Sequence, residues 1–239
     1  MNPAVYELLS SAATFYRFLK SKKYREYWLM NFRYGSKRRF QETLVTLDGT
    51  PFLIPDVASF LSTYRELIYC GAYAFESKHE RPVILDFGAN IGLSLYFWMK
   101  NYPQAKVYGY EADPFIFKYL ERNVQGITNG NIKLFNVALS DADGVLHFAS
   151  NHADGGRVSE TGIAVQAVDA AAELNKFETI DMLKIDIEGS ERIILPRISP
   201  YLERVENIFI EYHSEVTQEQ VLPELLQILK RAGFRIFVL

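Results

Sequence analysis

Hydrophobic and polar positions change period several times along this 239-residue chain, and each change marks an element. Val83-Ile84-Leu85 is a run of β-formers entering Asp86; Gly88-Ala89-Asn90-Ile91-Gly92 and the apolar-periodic LSLYFWMK follow. The pattern predicts a buried strand, a tight glycine turn and a helix start. Lys106 to Tyr110 is a second short strand, ending in Glu111, with Asp113-Pro114 as N-cap and first helical residue of the next helix. Ile132 to Ala138 reads as a third strand, Met182 onward as a fourth, Asn207 to His213 as a fifth and Phe234 to Leu239 as a sixth. Thr217-x-x-Gln220 predicts a capping box for a helix through Arg231, ended by Gly233. Strands alternating with helical segments predict an α/β fold with a doubly wound, mostly parallel sheet over residues 81–239.

Residues 1–80 carry a different pattern. Tyr6, Leu9, Ala13, Tyr16 and Leu19 or Lys20 recur at helical spacing, which predicts one or two amphipathic helices. Leu44 to Leu47, Asp48-Gly49-Thr50 and Pro51 to Ile54 read as a β-hairpin on an Asp-Gly turn. Residues 57–76 then read as helical, with Phe60, Leu61, Tyr64, Leu67 and Ile68 on one face. Tyr73 reads as core packing or as a pocket residue. A further hairpin is expected after Asp143-Gly144, with a polar loop from Asn151 to Gly162 in which His152 and Arg157 could meet an acceptor.

Composition narrows the class. About half of the residues are apolar, so the chain can bury a substantial core. One cysteine, Cys70, excludes an internal disulfide. No run of ~20 apolar residues predicts a membrane span, and the amino end lacks the pattern of a signal peptide, so a cytoplasmic location is the default. A net charge of −3 gives no reason to expect nucleic acid. The charge is nevertheless segregated: residues 1–40 hold nine Lys/Arg against Glu7 and Glu26. That basic arm fits a helical collar, a lid, a homodimer contact, or attraction to an acidic membrane or a phosphorylated substrate.

The candidate chemistry gathers at strand ends. Gly88 and Gly92 remove Cβ atoms that could keep a ligand away, and the first N–H groups of the following helix could bind a carboxylate or phosphate. Glu111 lies where a doubly wound sheet holds ribose hydroxyls, roughly 20 residues after the glycine turn. The glycines do not follow Gly-x-Gly-x-x-Gly, which counts against a nicotinamide-dependent oxidoreductase. In MLKIDIEGSE, Leu183, Ile185 and Ile187 alternate with Lys184, Asp186 and Glu188 where a central strand should be apolar on both faces. Burying unpaired charge is costly, so these residues should lie at the strand's carboxyl end or pair with one another, with Ser190 capping the next helix. Glu211 and His213, two residues apart, share one face of the next strand end.

DFGANIGLS, YEADP, NVALSD, MLKIDIEGSE and IEYH, in that order over about residues 70–239, together resemble the FkbM family of S-adenosylmethionine-dependent methyltransferases. The resemblance implies a Rossmann-like class I methyltransferase fold. It implies S-adenosylmethionine along Asp86, Phe87, Gly88, Ala89, Asn90 and Gly92, with Glu111 and Ala112 at the ribose and Asn136, Val137 and Ala138 at the adenine. Asp186, Glu188, Glu211 and His213 become the catalytic candidates, acting on a hydroxyl of a small molecule, sugar or glycan-type metabolite. His213 has the intrinsic pKa suited to a base, Asp186 the better position. The same four could assemble a Mg²⁺ site, although no residue set fixes its coordination. The alternative of another class is a noncatalytic S-adenosylmethionine-binding module. Methyltransferases of this architecture normally add a seventh, antiparallel strand, and none follows Phe234 to Leu239 here.

Overall fold

The computed structural model describes residues 16, 18–127, 129–149, 156–159, 162–214, 216 and 218–238. The helical periodicity before Tyr16, the loop from Asn151 to Asp154 with His152, the Arg157 side chain and Thr217 lie outside the described residues. The chain divides into two compact units, one of Met1–Thr43 with Ile54–Ala74, the other of Leu44–Leu53 with Phe75–Leu239.

In the first unit, helix α1 (Lys22–Tyr34) starts on Ser21, whose hydroxyl accepts from the Tyr24 N–H at 3.2 Å. Tyr24 and Tyr27 pack on Tyr69. Helix α2 (Val57–Tyr64) starts on Asp56, which also accepts from the Phe40 N–H at 2.8 Å and from the Arg39 guanidinium at 3.1 Å. Burial pushes the Asp56 carboxyl up, but Arg39 and the backbone donors outweigh it and hold the group far below the usual range. The single helix expected over 57–76 is not formed. After Tyr64 the backbone widens into a π-helical stretch, Arg65–Cys70, which ends at Gly71 in the left-handed region (φ 72°). Tyr73 is a buried core side chain.

The second unit contains the tip of the predicted hairpin, β1 (Thr43–Leu47) and β2 (Thr50–Ile54), turning through Asp48 and Gly49 at positive φ. The Asn123 side chain holds both the N–H and the C=O of Leu53, at 2.7 and 2.9 Å.

The main sheet comprises β3 (Val83–Phe87), β4 (Lys106–Tyr110), β5 (Ile132–Phe135), β10 (Met182–Ile185) and β11 (Ile208–Ile210), all parallel, in the order β11-β10-β3-β4-β5. The chain runs outward from β3 through β4 to β5, then returns to β10 on the other side. The topological switch point therefore falls between β3 and β10, where ligands of open α/β sheets bind. Helices α3 (Leu93–Asn101) and α4 (Pro114–Val124) supply the crossovers on the β3 to β5 side. Helices α5 (Ala170–Leu174), α6 (Glu191–Ile198) and α7 (Leu222–Arg231) belong to the other half. The expected third strand breaks at Asn136-Val137, and Ala138–Ser140 (β6) joins a second sheet, β6-β9-β7-β8, with β7 (Gly144–Ala149), β8 (Arg157–Ser159) and β9 (Ile163–Asp169).

Two C-terminal expectations are corrected. α7 begins at Leu222 with Pro223 in its first turn, beyond the proposed capping box, although Gly233 (φ 91°) ends it as predicted. Residues 234–238 form no strand; Phe237 and Val238 are largely exposed. Their β-propensity is insufficient without a partner strand to share hydrogen bonds. Among the described residues no helix is long and apolar enough to cross a membrane.

Candidate active site

The carboxyl ends of β3, β4 and β10 open into a cleft of about 640 Å³, counting the part open to solvent. Gly88, Asn90, Glu111, Ala112, Val137 and Ala138 line it, together with Asp186 and Glu188. Leu139, at the end of the stretch expected beside the adenine, and Ile116 and Phe148, which hydrophobic patterning did not single out, complete its apolar wall. Asp86, Phe87, Ala89 and Gly92 stand behind the lining. Phe87 is a core residue, edge-on to Tyr110. Asn136 is a strut: its amide donates to the Glu111 C=O at 2.8 Å, fixing the break after β5.

The glycine turn works differently from the expectation. A Cβ on Gly88 would lie 1.8 Å from the Asp186 carbonyl oxygen, and one on Gly92 would lie 2.9 Å from Leu120. Both glycines make room for the protein's own packing, at φ 94° and 89°. The N–H groups of residues 88–92 are also engaged internally. Gly88 and Ala89 donate to the Tyr110 C=O, Asn90 to the Glu111 carboxylate, Ile91 to the Asn90 side chain and Gly92 to the Ala89 C=O. These five amides are therefore committed to the turn itself, and the first N–H groups of α3 begin only after them, at Leu93.

The turn serves to fix Glu111. One carboxylate oxygen accepts from Asn90 N–H at 2.9 Å and the other from Asp113 N–H at 2.8 Å. Burial nevertheless dominates and pushes the Glu111 carboxyl up to about 7. Each oxygen keeps a second lone pair, so a vicinal diol facing the cleft would supply the donors that the ionised form needs. This donor chemistry, beside an apolar wall, fits a nucleoside.

The second cluster lies on the other side of the switch point. Lys184, 3% exposed, sits between Asp86 at 3.1 Å and Asp186 at 3.2 Å and donates to the Gly88 C=O at 2.6 Å. Lys184 of β10 thus pairs with Asp186 just beyond the strand and with Asp86 of β3, as burial required. Burial pushes the Asp86 carboxyl up, against Lys184 and the Ser94 hydroxyl, which donates to it at 2.5 Å. Ser190 makes no side-chain cap. Glu191, fully buried, folds back instead and accepts from Ile187 N–H at 3.0 Å and Gly189 N–H at 3.0 Å. Between those amides, Glu188 occupies the left-handed region (φ 53°), uncommon for a residue with a side chain.

His213 joins the two strand ends. Its ring nitrogens lie 3.2 Å from Glu191, 3.6 Å from Glu211 and 3.8 Å from Glu188. The Glu191 and Glu211 hydrogen bonds raise it to about 11, and the same contact lowers Glu211. At neutral pH His213 is an imidazolium with no lone pair to take a proton, so the base expected here is a cation instead. Asp186, Glu211 and His213 each place one atom within 4.8 Å of the others. Two carboxylate oxygens and one imidazole nitrogen make a set poorer in oxygen than Mg²⁺ ordinarily takes, and Asp186 already lies 3.2 Å from the Lys184 ammonium.

A parallel sheet whose switch-point cleft sets the Glu111 carboxyl beside an apolar wall defines a Rossmann-like α/β fold. The family model described as "Methyltransferase FkbM domain" matches residues 86–236, and the chain belongs to that family of S-adenosylmethionine-dependent methyltransferases. It is 25% identical to "Methyltransferase sdnD" of Sordaria araneosa, over 72% of this chain and 81% of that one. It is 24% identical to "2-O-methyltransferase NoeI" of Sinorhizobium fredii, over 59% of this chain and 68% of that one. A solved S-adenosylmethionine-dependent methyltransferase from Agrobacterium tumefaciens shares the fold at a TM-score of 0.50 and 11% identity, over 81% of this chain and 59% of that one.

Proposed function

We propose that this chain methylates a hydroxyl oxygen of a small molecule, sugar or glycan-type metabolite. The observation that carries the reading is the single cleft holding Glu111 and its apolar wall beside Asp186 and Glu188. S-adenosylmethionine supplies a methyl already activated on a sulfonium. Glu111 accepts the ribose hydroxyls, while Ile116, Val137, Ala138, Leu139 and Phe148 exclude water around the base. Bound there, the sulfonium donor would supply a methyl to the acceptor oxygen and keep the electron pair of its carbon–sulfur bond, so the chain's own residues have only to align the acceptor and take its proton. Asp186 receives the hydroxyl proton, and the Lys184 ammonium fixes that carboxylate in place. Glu188 and Glu211, held by the His213 cation, accept neighbouring hydroxyls and align the nucleophile, an orientation effect worth several kcal/mol. The name of the NoeI relative supports an oxygen acceptor.

The test is incubation with isotopically labelled S-adenosylmethionine and a library of hydroxylated metabolites, followed by product mass spectrometry. Label should appear on oxygen, and Asp186→Asn should lower turnover on the order of 10²-fold or more while S-adenosylhomocysteine affinity holds. Label on nitrogen or carbon, or an Asp186→Asn enzyme of full activity, overturns the assignment.

A further inference from the structure

The basic arm is not absorbed by the methyl-transfer reading. On α1, Tyr24, Tyr27 and Tyr34 face the interior of the first unit. The opposite side displays Trp28, Leu29 and Phe32, exposed by 40%, 52% and 76%. Trp28 and Phe32 stack at 5.4 Å, and Phe18 of the preceding turn meets Trp28 edge-on at 5.3 Å. Arg25 secures that turn by donating to the Phe18 and Leu19 carbonyls. An exposed, mutually packed aromatic group on a soluble unit marks an interaction surface. Lys22 and Arg33 border the Leu29 edge of that face, the Arg33 guanidinium standing 5.4 Å over the Tyr34 ring, and Lys37 and Arg38 follow the helix, all exposed. The nearby acid, Glu26, is paired with Lys22.

We propose that this face of α1 docks onto an anionic membrane surface, with Trp28, Leu29 and Phe32 entering the headgroup boundary and Lys22 and Arg33 facing the lipid phosphates. Three features select this occupant. Trp beside aliphatic and aromatic residues, flanked by cations, is the composition of helices lying in a membrane interface. A second copy docking through the same face would oppose like charges across a two-fold axis. Because the chain as a whole is net −3 while its first 40 residues are strongly basic, an anionic surface attracts this end selectively. Docking through α1 would bring the enzyme to acceptors carried at that surface.

The test uses the full chain with vesicles of phosphatidylglycerol and phosphatidylcholine, compared with phosphatidylcholine alone. The chain has two tryptophans, and Trp98 is fully buried, so a change in emission reports Trp28. The protein should sediment with the anionic vesicles, shift its emission to the blue, and dissociate in high salt. Leu29→Ser with Phe32→Ser should weaken partitioning tenfold or more, and Lys22→Glu with Arg33→Glu roughly 30-fold or more. These four side chains are exposed and outside the cleft, so S-adenosylhomocysteine affinity should stay unchanged in both variants; that keeps this outcome separate from the methyl-transfer reading. Failure to bind anionic vesicles, equal binding to phosphatidylcholine, variants that bind normally, or concentration-dependent dimerisation abolished by the Leu29 and Phe32 changes would each overturn the proposal.

Discussion

Glu111 can be tested without knowing the acceptor. Burial takes its carboxyl from 4.5 to about 7 in the folded chain, and each unit corresponds to ~1.4 kcal/mol. The ionised form therefore costs the ligand-free fold ~3 kcal/mol. The folded state binds this proton more tightly than the unfolded state does. Its contribution is thus greatest below the unfolded value of 4.5 and is lost as pH rises through about 7. In Glu111→Gln nothing titrates at this position, so the stability difference should move toward the variant by ~2.5 kcal/mol between pH 5 and pH 8. A constant offset of ~1–3 kcal/mol against the variant accompanies it, because the amide leaves one of the Asn90 and Asp113 N–H groups without an acceptor. Urea denaturation at the two pH values separates these terms, since only the first depends on pH. A stability difference independent of pH would refute the half-buried, charge-starved carboxyl. Calorimetry supplies the second half. Glu111→Gln should weaken S-adenosylhomocysteine binding by roughly 10- to 100-fold, and wild-type affinity should fall as pH drops below about 7, where the acceptor form is depleted.

Three further perturbations probe the scaffold. Glu191→Ala removes the acceptor shared by Ile187, Gly189 and His213; chemical denaturation should show a loss of ~2–4 kcal/mol. Gly88→Ala places a methyl 1.8 Å from the Asp186 carbonyl oxygen and should cost several kcal/mol or block folding, a result read from soluble yield and thermal melting. His213, raised from 6.5 to about 11, contributes stability fully below 6.5 and loses it as pH rises toward 11. His213→Gln should therefore be more destabilising at pH 6 than at pH 10, and NMR of the imidazole should show it still protonated at pH 8.

The sheet was legible because each parallel strand carries its own signature. β3 and β4 are short β-forming runs closed by turn or capping residues, so strand, turn and acid could be placed without tertiary information. Side-chain directions were not legible. Which atoms occupy the space beside Gly88 depends on Asp186, brought alongside only when β10 pairs with β3. The internal partners of the turn amides 88–92 were not legible either, because their acceptors belong partly to Tyr110 and Glu111 on another strand. Glu191 was overlooked for a related reason. Next to a serine it reads as first-turn helix chemistry, and only the fold shows that its carboxylate closes the preceding turn and also meets His213. The π-helical end of α2 and the unpaired tail after Gly233 escaped periodicity because both retain apolar spacing or β-propensity while their hydrogen bonds differ.

The alternating charges on and just past β10 carried the most information because they conflict with burial. A central strand places Lys184 in the core, where an ammonium persists only with carboxylates around it. Its partners come from two strands, Asp86 on β3 and Asp186 just past the end of β10. The ion group therefore bridges the gap where the sheet changes direction, and it fixes Asp186 on the cleft side of that gap. Replacing Lys184 by Met would leave Asp86 buried without its cation, so stability and the position of the proposed proton acceptor are tied to one side chain. A hydrophobic residue at position 184 would suit the strand better, and its absence is the strongest sign in the chain that this strand end serves chemistry as well as packing.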